Sequence, residues 1–266
     1  MKISNMVESS VQVYKNKVHA AAFTLAEILV TLGILGIVMA MTMPSVIAEY
    51  QKKSTVTALQ RNYSAISQAI NLAMAEIGMN PEEFTKYASW KNKNDPNSIR
   101  ILEKYLPVVS TCSNPIVNCW GRGGGKTPRF LNGQELFDKN IQETLFYGMR
   151  LSSGAIVILR YAVGESSLIY VDVDGPKGYN RVGRDIFMFY LFNRSIALEE
   201  ATCHANSAPA SGLYPGGFGP NCLPWTYVWP LKEDLLRQSC NKEKEGSACA
   251  AVIVMDGWVI KKDYPW

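Results

Sequence analysis

The sequence predicts an α+β protein. A long N-terminal helix, apolar in its first half and amphipathic in its second, precedes a head of β-strands and disulfide-stapled loops. Three observations carry this reading. No charged residue occurs from Ile28 to Ala48, and at about 1.5 Å per helical residue that run reaches the roughly 30 Å of a bilayer's hydrocarbon core. Past it, Val56, Leu59, Tyr63, Ile66, Ile70, Ala73 and Ile77 recur at spacings of three and four, the period of one helix face. Beyond Leu145, short β-branched and aromatic runs alternate with turn residues, and every cysteine lies after the apolar run.

Residues 1–22 are polar and mildly basic. Lys2, Lys15 and Lys17 against Glu8 favour a cytoplasmic N-terminus, which puts everything after Lys53 on the far side of a membrane. A secretory signal cut at Val38-Met39-Ala40 is the competing reading, but it sets an acid, Glu27, directly against its apolar core. A plain anchor leaves Glu27 without a role, although a carboxylate at a membrane span usually implies a partner. Lys53, Arg61 and Glu76 stay off the amphipathic face, and Gly78 with Asn80-Pro81 supplies the stop. One helix is therefore expected from about Thr24 to Ile77, packed on its own head, with Pro44 removing a backbone donor and kinking or loosening it.

Residues 81–107 read as short helices and loops, with Ile99, Leu102, Tyr105 and Leu106 on one face. Leu145–Leu151 and Ala155–Tyr161 flank Ser152-Ser153-Gly154 as a hairpin, and Ser167–Val173 and Ile186–Phe192 add two strands. Pro230 opens a short helix to Arg237, whereas Ala250–Met255 is too short for its period to separate helix from strand.

The cysteines bracket loops in sequence: Cys112 with Cys119, Cys203 with Cys222, Cys240 with Cys249. Six cysteines allow about 15 connectivities, of which this local pairing is the simplest. A zinc site is disfavoured, because there is no Cys-x-x-Cys pair and His204 is the only histidine after the apolar run. Disulfides require an oxidising compartment, in agreement with the membrane topology.

Between the last two strand runs, Asp172, Asp174, Asn180 and Asp185 surround a glycine-rich turn. These are hard oxygen ligands of the kind calcium takes, at a spacing that is not an EF-hand's. The alternative is a turn in which Asp and Asn cap their own backbone. Gly121 to Thr127 fails the phosphate-loop pattern, whose first glycine would fall at Trp120. No nucleophile–base pair, paired catalytic carboxylates or metal-binding His motif is present, so no catalytic residue is assigned. A net charge of +4 makes no case for a nucleic-acid partner.

Ala22-Phe23-Thr24-Leu25-Ala26-Glu27, followed by the apolar run with its proline at Pro44, resembles the N-terminus of type IV prepilins and type II secretion pseudopilins. Ala22 stands where that family usually has Gly. The resemblance spans about 30 residues. It implies a type IV pilin-like fold in which the helix packs on an antiparallel sheet head. The domains are then a leader, 1–22, a transmembrane and filament-core helix, 23–53, and an amphipathic helix with its extracytoplasmic head, 54–266. It implies cleavage before Phe23 by a prepilin peptidase, methylation of the new amine, and neutralisation of that amine by Glu27 of a neighbouring subunit. Other pilin or pseudopilin subunits, an inner-membrane assembly platform and its ATPase are the implied partners. The precursor would sit in a bacterial inner membrane, with its head periplasmic until assembly into a surface pilus or periplasmic pseudopilus. Some major pseudopilins bind calcium beside their sheet. The alternative function is a membrane-tethered binding module that does not polymerise, contacting a surface ligand through Trp225, Tyr227 and Trp229.

Overall fold

A computed structural model describes residues 24–88, 98–112, 119–120, 127–136, 146–160, 166–193, 211–216 and 233–266, and the chain divides after Ala48 into two compact units. One helix, α1 (Leu25–Ile77), begins in the first unit and ends in the second. Its first part is long and apolar enough to cross a membrane, with a mean hydropathy of 2.2 over its most apolar window and none of that window buried. The helix assignment runs unbroken through Pro44. Its end is set by Gly78 at φ +67° and by Met79 N–H donating to Met74 C=O at 3.0 Å, the bonding of a Schellman cap.

In the second unit, Val56, Leu59, Ile66, Ile70 and Ala73 of α1 are buried as the periodicity predicts, with Tyr63 and Ile77 packed at the margin. Asn62 also faces inward, and its Nδ2 donates to Ala58 C=O at 2.9 Å. A buried amide needs such a partner, and an apolar stripe alone does not predict one. The short helix α2 (Pro81–Tyr87) is opened by a capping box, with Asn80 accepting from Glu82 and Glu83 N–H and the Glu83 carboxylate accepting from Asn80 N–H.

Six strands form one antiparallel sheet in chain order: β1 (Val108–Cys112), β2 (Phe146–Leu151), β3 (Ile156–Arg160), β4 (Ser166–Asp172), β5 (Ile186–Phe192) and β6 (Gly212–Pro215). The expected hairpin is β2–β3, paired from Phe146↔Arg160 to Arg150↔Ile156. Both faces of the sheet are covered, which is why β5 reads as a continuous apolar run. Phe187, Phe189 and Leu191 join the core that includes α1, while Ile186, Met188 and Tyr190 join a second core with Trp120 and Leu136. Tyr63 stacks on Phe189 with ring centroids 5.5 Å apart. β1 and β6 are too short and mixed to announce themselves in the sequence.

The ambiguous segment near Ala250 is helical. Helix α3 (Glu233–Ser239) is followed by α4 (Cys249–Met255), whose Ala250 to Ile253 are all buried in the core that includes α1. Cys240–Cys249 and Cys112–Cys119 are disulfides, with Cα atoms 4.8 and 5.7 Å apart, as the bracketing suggests. Cys203 and Cys222 lie outside the described residues, as do His204, Trp225, Tyr227 and Trp229.

Candidate functional site

At the start of α1, the Glu27 carboxylate accepts from Thr24 N–H at 2.8 Å and Thr24 O–H at 2.9 Å, and Glu27 N–H donates to Thr24 Oγ1 at 3.2 Å. Thr24-x-x-Glu27 is thus a capping box, satisfying helix-start donors that would otherwise be orphaned. Glu27 is exposed within the chain, and Ala22 and Phe23 lie outside the described residues.

The connection from β4 to β5 carries the acidic positions. Asp172 is fully buried. One carboxylate oxygen accepts from Asp174 N–H at 3.3 Å and Gly175 N–H at 2.9 Å, and the other from the Trp120 indole N–H at 2.5 Å. The Cys112–Cys119 disulfide immediately precedes Trp120 in the chain and so anchors the indole at this point. Asp185 closes the turn from the other end, accepting from Asn180 N–H at 2.7 Å and Arg181 N–H at 2.6 Å. Between them, a Cβ at Gly178 would lie 2.4 Å from a carboxylate oxygen of Asp174 and 2.4 Å from one of Asp185. Only glycine leaves these two acids room to converge.

Burial raises all three carboxyls above the ordinary aspartate range. Asp172 rises well above it, Asp174 rises, and Asp185 rises to about 6, with the charge of Asp174 adding to the effect of burial at Asp185. The positions expected to bind calcium already carry hydrogen bonds within the chain. Asp172 has both oxygens committed to the chain, Asp185 holds two backbone amides, and among the described residues no group of three or more His, Cys, Asp or Glu side chains could hold a metal ion. Asp172 and Asp185 cap backbone amides of the turn in the way the alternative reading expects of its aspartates.

The turn forms one wall of a cavity of about 520 Å³. Asp174, Lys177, Gly178, Tyr179, Arg184 and Asp185 line it together with Tyr50, Gln51, Ser54 and Thr55 of α1 and with Trp266. The Arg184 guanidinium lies 3.4 Å from the Tyr179 ring centroid and 5.4 Å from that of Trp266, a cation–π stack that fixes both rings at the rim. Trp266 follows the Tyr264 hydroxyl, which donates to Gly183 C=O and pins the last residues against the turn. Of this cavity, sequence reasoning found the acids and missed the rest. Tyr50, Arg184 and Trp266 carry no local pattern, and only the fold gathers them.

With that geometry in view, the comparisons are brief. Residues 178–266 match a model described as a family of unknown function (DUF6613). The matched segment begins in the turn and takes in β5, β6, α3 and α4. No curated protein and no solved structure matches the chain.

Proposed function

We propose that the chain is a structural subunit, a pilin or pseudopilin and a minor one by its size, of a type IV pilus or type II secretion-type filament. The observation that carries this reading is a single helix that opens on the Thr24–Glu27 capping box, runs through an apolar stretch with none of its most apolar window buried, and continues into the buried spine of a sheet head. Apolar surface of that extent needs a lipid or protein environment. Cleavage before Phe23 would leave a free amine one residue before the cap, where the carboxylate of a neighbouring subunit's Glu27 lowers the cost of burying it. The prepilin peptidase, the inner-membrane platform and its ATPase belong to the same proposal, as does passage from the inner membrane to a pilus or pseudopilus. The role is assembly and not catalysis.

The test is the N-terminal residue and intact mass of the protein from its native membrane fraction. A chain beginning at methylated Phe23 is the expected result. A start near Met41 would make it an exported soluble protein, and an intact Met1 in cells with a working prepilin peptidase would favour a tethered module. Glu27→Ala should insert into the membrane yet fail to enter filaments.

A further inference from the structure

We propose that the cavity bounded by Tyr50, Tyr179 and Trp266 is a binding site for a neutral carbohydrate. A pyranose ring asks two things of a protein: an apolar surface against its C–H face, and donors and acceptors together around its hydroxyl rim. At about 520 Å³ the cavity falls within the roughly 300–1,000 Å³ usual for small-ligand sites.

Its aromatic surface is available. Tyr179 is 61% exposed and Tyr50 72% exposed although both line a concavity, and Arg184 holds the Tyr179 ring by stacking on it. An exposed ring locked in place offers area at small entropic cost. Its polar surface is mixed and in part uncommitted. No hydrogen bond within the described residues engages the side chains of Gln51, Ser54 or Thr55, and Arg184 Nε is a buried donor with no acceptor among them. Asp174 and Asp185 turn carboxylate oxygens toward Gly178, where no side chain intervenes.

The charges select against ionic ligands. Two acids, Asp174 and Asp185, and two bases, Lys177 and Arg184, line the same cavity, so neither a phosphate nor an ammonium group meets a field of one sign. Hydroxyls, which donate to carboxylates and accept from guanidinium and ammonium groups, can use both.

The test uses the full chain in a zwitterionic detergent without a sugar headgroup, with glucose, galactose, N-acetylglucosamine and maltose as probes and saturation-transfer NMR and calorimetry as readouts. Saturable transfer to ring C–H protons of at least one probe is expected. Tyr179→Ala should weaken that binding about fivefold with only a small fall in Tm, since the ring is exposed and gives up only its stack on Arg184. Tyr50→Ala, at a second exposed ring, should act in the same direction. Glucosamine and glucose 6-phosphate should bind no more tightly than glucose. The proposal is overturned by the absence of saturable transfer from all four probes, by binding that neither tyrosine substitution changes, or by a charged analogue that binds tenfold more tightly than its neutral parent. None of these outcomes bears on where the N-terminus is cut, so the site and the filament role stand or fall separately.

Discussion

Two groups of enclosed aspartates sit in the same head and respond to it in opposite ways. Asp172, at the end of β4, and Asp185, in the turn that follows, accept from an indole and from backbone amides, with Asp174 as a neighbouring acid and no cation bonded to either. Asp256, just past α4, has a side chain only 2% exposed, yet it meets Arg237 at 2.7 Å and Lys261 at 2.6 Å. Burial pushes all three carboxyls up. For Asp256 the hydrogen bonds from Lys261 and Arg237 outweigh burial and hold the pKa below the ordinary value, while in the turn burial wins. In the turn, burial and the charge of neighbouring acids outweigh what the N–H donors contribute, whereas two cations outweigh burial at Asp256.

The largest expected effect is on the pH dependence of stability. The folded pKa of Asp185, about 6, lies above the ordinary 3.8, so the folded state holds that proton more tightly than the unfolded state. Its contribution is fully present below about pH 4 and is lost as pH rises to 6, by up to about 3 kcal/mol. Asp256 has the opposite sign: its contribution is present above about pH 4 and is lost as pH falls. Denaturant melts between pH 4 and 7 should therefore show Asp185→Asn flattening the upper part of the profile. An unchanged profile would erase the contrast between the two groups.

Next comes Arg237→Met, which leaves Asp256 with Lys261 alone. A loss of about 2 kcal/mol is expected, between the values for exposed and deeply buried pairs because the partners' own side chains cover Asp256. Adding Asp256→Leu should restore most of that loss in the same melts.

Trp120→Phe removes one N–H donor from fully buried Asp172 while keeping an aromatic ring in place. A cost of roughly 1–2 kcal/mol is expected, together with a further rise in the Asp172 pKa, read from the carboxyl carbon shift in an NMR titration. The smallest effect belongs to Glu233, which meets Arg237 at 2.8 Å one helical turn away on an exposed face. Glu233→Ala should cost only about 0.3–0.5 kcal/mol by thermal melting, because water and salt screen that pair.

Where the sequence speaks through periodicity it reads well. The limits of α1, the hairpin of β2 and β3 and strand β5 follow from spacing and turn residues, and the two disulfides match the simplest of the pairings the cysteines allow. Strands β1 and β6 are edges of four or five residues with few apolar positions, and their pairing is decided by the sheet they join. Helix α4 was ambiguous because all of its faces are buried or nearly so. The acids of the turn were legible as a cluster, but not their commitments: nothing near Trp120 announces that its indole reaches a carboxylate 52 residues away. The cavity rim, with Tyr50 and Trp266 from opposite parts of the chain, has no linear signature.

The order of the sheet has a kinetic consequence. Every strand pairs with its neighbour in sequence, from β1 through β6, and from β2 to β4 the connections are short, so those strands lose little chain entropy in pairing. α1 and α4 come from distant parts of the chain and both join the core on one face of the sheet, so their packing has to wait for that face to form. The sheet should therefore form first, as a template on which the two ends of the chain meet. Pulse-labelled hydrogen exchange during refolding would see this order as protection of β3, β4 and β5 amides ahead of those in α4.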